Sequence, residues 1–429
     1  MRTKLFVAIG VILIIAAIIY FNNTVENFED SNSSKQVTLL TKKYSNDILS
    51  LDNLFDCLVP KAGKKHKKGA ECEDMPSMTE DEELLINFYS LGCRFTGYLG
   101  PMKDGFWDPT SAVRLAVKAG CRVFVLEIDY LPYFDIKFPR ICIRDKKGNL
   151  LTNSDNPRIP NTLENSNITD VCNNINLYAF STDNKDPVII VLYFLRLPSK
   201  DIKSQENLTY LSNVATCISR STLNEKLLKI ETNGTFNRQS QESLLLSSKI
   251  TNYQNKVLLF SNADTSGFRP ASPNQKAQYD PSDDLDFLVN LRLYTNNTAL
   301  GATTKGSGFG VLQPAEDYLI ISSESKTATI EASRKSWTMC LSNDPSVPVT
   351  QEIYNTITST YGINCVPIVL FDKGSDFMTA IFKNFSYIPK PPELRIPQPM
   401  IAVAVQASTK MDAKQGKLLV TNASGTGVA

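Results

Sequence analysis

The run from Tyr98 to Leu131, YLGPMKDGFWDPTSAVRLAVKAGCRVFVLEIDYL, constrains the fold more than any other part of the chain. Asp108 carries a side-chain oxygen suited to the free N–H groups of a helix start, and Pro109 fits the first helical position, where no donor is needed. Ala112, Leu115, Ala116 and Ala119 then share one helical face before Gly120 ends the helix. Cys121 to Ile128 follow as a strand that reads as apolar on both faces. A helix that feeds a strand without alternation is the repeating step of parallel α/β sheets, whose faces are both covered.

The same run resembles the first catalytic half of eukaryotic phosphoinositide phospholipases C, where a Ser-His-Asn-Thr-Tyr-Leu strand end leads into a Gly-Cys-Arg strand ending in Glu-x-Asp. Further segments resemble that family in its order. Pro187 to Leu195 is similar to the strand that begins Pro-Val-Ile and ends Glu-Asn-His, and Lys256 to Phe260 to the Lys-Ile-Leu-Ile-Lys strand. Leu285 to Tyr294 resembles the opening of the second half, Ile321 to Lys326 its Ser-x-Ser-Glu-x-Lys element, and Tyr387 to Arg395 its closing Tyr-Val-x-Lys-Pro-x-x-Leu-Arg. The resemblance implies an α/β fold, a distorted TIM (β/α)8-type barrel over 87–395. Its first half would be 87–260, its linker 261–284 and its second half 285–395.

Position by position, the resemblance implies a site stripped of its chemistry. The family uses two histidines and a calcium ion, whereas this chain has one histidine, His66, within KAGKKHKKG and ahead of the barrel region. Alignment on Tyr98 and Leu99 puts Phe95 at the first histidine and Thr96 at the calcium-binding asparagine. Alignment on Pro187 puts Tyr193 at the glutamate and Leu195 at the second histidine. The phosphate-binding lysines fall at Phe260 and Asn262, and the Ser-Arg of the second half at Ser342 and Asn343.

The acidic positions stay open, since a gapless alignment gives Val125 and Glu127 while two extra residues give Glu127 and Asp129. One or two carboxylates make a poor calcium site, so neither calcium nor another cofactor is expected. Phe95, Tyr193, Phe194 and Leu195 would turn the barrel mouth aromatic and apolar. A closed, packed end is the favoured expectation, and a pocket for an acyl chain or a partner side chain the alternative.

Ahead of the barrel, Leu5 to Phe21 is seventeen uncharged, mostly apolar residues, enough to span a bilayer as a helix. Arg2 and Lys4 before it and Glu26, Glu29 and Asp30 after it favour a single-pass anchor with residues 1–4 cytoplasmic. A cleaved signal peptide would have a shorter apolar core and a small-x-small site, which does not follow before Asn22. Residues 22–86 read as a polar stalk with at most a short helix around Ser45 to Phe55 and a basic loop between Cys57 and Cys72. Lys61, Lys64, Lys65, Lys67 and Lys68 in that loop can touch anionic headgroups, or simply be solvated. Residues 396–429 form a tail.

Nine cysteines without a Cys-x-x-Cys pair disfavour a zinc site. Cys121, Cys340 and Cys365 lie in apolar strand candidates and read as buried thiols, while Cys57 and Cys72 can bridge the basic loop in an oxidising compartment. A formal charge of +1 argues against a nucleic-acid partner. Phosphate-loop, His-Glu-x-x-His and Gly-x-Ser-x-Gly motifs are absent from the sequence.

Two function classes remain. One is a membrane-anchored pseudo-enzyme that binds a lipid, glycan or protein, or builds a structure; Val25 to Phe28 after the anchor resembles virion membrane proteins of large DNA viruses. The other is a phosphoric diester hydrolase acting on phosphatidylinositol-type lipids with a site rebuilt from Arg94, Glu127, Asp129 and Tyr130. The second requires those groups to converge in an open pocket at the strands' C-terminal ends, lined from the candidates Arg94, Thr96, Glu127, Asp129, Tyr193, Phe260, Asn262 and Asn343.

Overall fold

The computed structural model describes residues 34–58, 72, 75–100, 105–130, 139–144, 167–180, 184–229, 245–269, 279–295, 300, 310–345, 348–370 and 376–396. The proposed anchor Leu5–Phe21 and the Lys61–Lys68 cluster lie outside these residues. Among the described residues no helix is long and apolar enough to cross a membrane. The chain forms two compact units, Met1–Ser45 and Asn46–Ala429. In the first, residues 34–43 are helical.

In the second unit the strands are, in chain order, β1 (Phe88–Ser90), β2 (Gly92–Cys93), β3 (Tyr98–Leu99), β4 (Phe106–Trp107), β5 (Val123–Asp129) and β6 (Val188–Arg196). They continue with β7 (Val257–Ser261), β8 (Leu291–Tyr294), β9 (Gly310–Pro314), β10 (Thr338–Leu341) and β11 (Tyr387–Pro389). Seven of them form one curled parallel sheet in the order β10-β9-β8-β7-β6-β5-β2. The extended segment around Cys365 to Ile368 joins its two ends through parallel bridges, Met339 with Cys365 and Cys93 with Ile368. Hydrogen bonds from Cys340 N to Cys365 O (3.1 Å) and from Arg94 N to Ile368 O (2.8 Å) complete the ring. The result is a distorted barrel of the (β/α)8 type.

Local chemistry accounts for the first helix–strand step. Asp108 Oδ1 accepts from Ser111 N at 2.9 Å, Pro109 opens the Pro109–Lys118 helix, and Gly120 at φ +98 turns the chain into β5. All seven residues of β5 are buried, as a strand covered on both sides must be. Val123, Val125, Ile189, Val191, Leu258, Phe260, Leu291, Leu293 and Met339 fill the interior. Each such side chain contributes roughly 1.5–3 kcal/mol when fully buried. Phe260 meets Trp337 edge to face at 4.9 Å. Closure depends on Gly92, where an added Cβ would stand 2.6 Å from Cys365 Sγ.

The expected polar stalk is corrected from Leu51 onward. Leu51, Leu54 and Leu58 of the Leu51–Leu58 helix are buried in the same core cluster as Val123 and Ile189. Asp186 Oδ1, just before β6, accepts from Leu51 N at 2.8 Å and fixes the start of that helix. A disulfide joins Cys57 to Cys72, and Cys121, Cys340 and Cys365 are buried thiols.

Candidate functional site

The alternation of each strand decides which side chains reach the barrel mouth. Val123 and Val125 of β5 point into the core, so Glu127 on the same face stands one layer higher, at the C-terminal end, in register with Tyr193 of β6. On the other side of β5, Gly92 pairs with Val123 and Arg94 follows β2 on the inward face.

These positions bring Arg94 and Glu127 together. Arg94 Nε donates to Glu127 Oε1 at 2.5 Å, and its Nη1 donates to the Ser342 carbonyl at 2.7 Å. A second guanidinium comes from a segment that folds back over the end of β5, held by Cys142 N donating to Glu127 O at 2.7 Å and by pairing of Ile141 with Ile128. That segment delivers Arg144, whose Nε and Nη2 lie 2.8 and 2.7 Å from Glu127 Oε2. The Glu127 carboxylate is therefore shared between two arginines with none of its side chain exposed.

Burial of Arg144 would lower its pKa, but Glu127 and Tyr193 outweigh it and hold the group above its ordinary value. Burial, and then the neighbouring Glu127, push the Tyr193 hydroxyl up. Around this cluster lies a cavity of about 260 Å³. Arg94, Arg144, Tyr193, Thr295, Ser342 and Asn343 form its polar wall, and Leu312, Pro314 and Leu341 its apolar wall.

The remaining candidates go elsewhere. A register shift between Ile128 and Asp129 breaks the alternation of β5, and Asp129 takes Arg196 Nε and Nη2 at 2.9 and 2.7 Å without lining the cavity. Thr96 Oγ1 donates to the Val125 carbonyl at 3.1 Å. Phe260 belongs to the core beneath the mouth, and Asn262 bonds the backbone of Phe194 through both amide atoms, at 2.7 and 2.9 Å.

The aromatic, closed mouth expected from the sequence is corrected as well. Phe95 sits at φ +54, a left-handed conformation costly for a bulky residue, and packs with Tyr98 and Ile143 while its ring centre lies 5.1 Å from the Arg94 guanidinium carbon. Phe194 packs edge to face on Tyr210, and Leu195 is half-buried. The sequence reading missed Arg144 and Thr295. The only local signal for Arg144 is the apolar alternation of ICIR, which shows an extended segment but not the strand it returns to.

Solved structures to which the chain is similar include phosphoinositide-specific phospholipases C. The crystal structure of L. pealei PLC21 shares 15% identity at a TM-score of 0.49, over 74% of this chain and 38% of that one. A calcium-dependent phosphoinositol-specific phospholipase C from Pseudomonas sp. gives 13% identity and 0.40, over 71% and 95%. The calcium-dependent phosphatidylinositol-specific phospholipase C of Streptomyces antibioticus gives 9% and 0.43, over 72% and 99%. The chain thus spans well under half the length of the L. pealei protein. No protein-family model and no curated protein matches the chain. At these identities the likeness is one of fold, and it carries no residue's role across.

Proposed function

We propose that this chain is a phospholipase C-like barrel that does not hydrolyse phosphodiesters and serves as a binding or structural module at a membrane. The observation that carries this reading is the commitment of Glu127 to Arg94 and Arg144. A carboxylate holding two guanidiniums at 2.5–2.8 Å has both oxygens occupied by donors and neither placed to meet a substrate hydroxyl. The one histidine of the sequence, His66, stands in the Lys61–Lys68 cluster, and Phe95 and Leu195 stand where the resemblance would place imidazoles.

Calcium does not fit the donors. It takes six or more oxygens with several carboxylates, whereas Glu127 and Asp129 are each paired to arginine and Thr96 is turned to the backbone. In this reading Leu5–Phe21 anchors the chain with its N-terminus cytoplasmic, and Lys61, Lys64, Lys65, Lys67 and Lys68 add contact with anionic headgroups. A structural role in a virion membrane is the version that the Val25–Phe28 resemblance supports.

One observation favours the second reading, a rebuilt diesterase: Arg94 and Glu127 do converge at the mouth. Arg94 would stabilise the charge of a phosphorane and Glu127, once released by Arg144, would act as base. The test is release of soluble inositol phosphates from phosphatidylinositol liposomes by the full chain, with calcium and with chelator, alongside co-sedimentation. No release is expected. Release that Glu127→Gln abolishes, in a variant still folded by near-ultraviolet circular dichroism, would establish the rebuilt site instead.

A further inference from the structure

The cavity at the mouth has a charge arrangement that points to a class of ligand. Its wall contains Arg94 and Arg144, while Glu127, their counter-ion, lies behind them with none of its side chain exposed and is not part of the lining. The second carboxylate nearby, Glu316, also lies behind the lining, where it accepts from Ser342 Oγ at 2.8 Å and from Asn343 N at 3.0 Å, so both charged groups that face the cavity are cations.

Donors are ready to meet an anion there. Nη1 of Arg94 is fixed by the Ser342 carbonyl, its Nε by Glu127, and its Nη2 has no hydrogen-bond partner among the described residues. A guanidinium held in this way loses little freedom on binding a ligand. The opposite wall is apolar, with Leu312 and Leu341. At about 260 Å³ the space lies just below the range of common small-molecule pockets.

We propose that this cavity binds a small organic acid bearing one negative charge, a carboxylate on a compact apolar body, with the carboxylate on Arg94 and Arg144 and the body against Leu312 and Leu341. The proposal rests on reading the barrel as a binding module. A doubly charged head would bring a second negative charge close to both Glu127 and Glu316, the carboxylates behind the wall.

The test is calorimetric titration of the full chain, purified in neutral detergent, with benzoate, benzyl alcohol and phenyl phosphate, detergent alone being the blank. Benzoate is expected to bind, with the neutral alcohol weaker by at least about tenfold, because it lacks the charge-assisted hydrogen bonds. Phenyl phosphate is expected to bind no tighter than benzoate. Arg144→Gln is expected to weaken benzoate by about tenfold while leaving benzyl alcohol unchanged, with folding checked by near-ultraviolet circular dichroism.

Absence of benzoate binding up to about 10 mM, equal binding of the alcohol, or tighter binding of phenyl phosphate would overturn the proposal. The comparison among the three ligands on the natural protein stands even where Arg144→Gln fails to fold. Failure here leaves the non-hydrolytic reading intact, since that reading falls only on release of inositol phosphates.

Discussion

Arg94 and Glu127, thirty-three positions apart, meet at 2.5 Å on the inner face of the barrel, where neither side chain is more than 3% exposed. An ion pair so removed from water gains Coulomb energy but loses the hydration of both ions, so it persists only when every oxygen is satisfied. Arg144 supplies what Arg94 alone leaves unmet.

Removing the shared carboxylate should therefore be costly. Glu127→Gln leaves two guanidiniums with no counter-ion at the mouth, and an expected loss of about 3–5 kcal/mol in urea unfolding follows from unpairing a buried charge. A loss below about 1 kcal/mol would mean that solvent already screens the cluster.

Asp186 makes stability depend on pH. Burial pushes its carboxyl from the ordinary 3.8 up to about 6, against the pull of Arg122 and the Leu51 N–H. The folded state then binds more protons than the unfolded one between those values. This contribution is complete below about 4 and lost as pH rises through about 6. Asp186→Asn keeps an acceptor for Leu51 and removes the titration. Relative to the natural protein, the variant should gain roughly 1–3 kcal/mol between pH 4 and pH 7, measured by urea unfolding at each pH.

Lys390 acts in the opposite sense. It is fully buried, and burial lowers its pKa from 10.5 to about 7. The folded state binds fewer protons across that interval, so the contribution is present above the unfolded value and lost as pH falls through about 7. Lys390→Met should raise stability at pH 6 by at least about 1 kcal/mol and have a smaller effect at pH 10. Equal effects at both would show that the amine keeps its charge.

The Cys57–Cys72 disulfide ties the end of the Leu51–Leu58 helix across 15 positions. Closing a loop of that length stabilises by about 3 kcal/mol in the chain-entropy account. Replacing both cysteines with serine should lower the unfolding free energy by that order under non-reducing conditions. An unchanged midpoint would place the bridge outside the cooperative unit.

What was legible in the sequence was local. Asp108, Pro109 and Gly120 mark the ends of a helix within a dozen residues, and the buried runs of β5, β6 and β7 announce themselves by composition. Closure of the ring by Cys365 to Ile368 was not legible, because the segment is short, interrupted by Pro367 and paired on both sides only in space. A short helix was expected near Leu51–Leu58, but its polar neighbours hid that Leu51, Leu54 and Leu58, at helical spacing, enter the barrel core. At the site, Glu127 followed from the resemblance of the strand end, but the register shift that turns Asp129 to Arg196 and the fold-back that delivers Arg144 have no sequence period.

The most direct measurement of whether Glu127 is committed to arginine is a calcium titration of the full chain by calorimetry. Metal binding at the mouth would need the carboxylate oxygens that Arg94 and Arg144 now hold. No saturable heat is expected up to about 1 mM calcium. Saturable binding that Glu127→Gln removes would contradict the account and restore a metal-dependent site to the barrel.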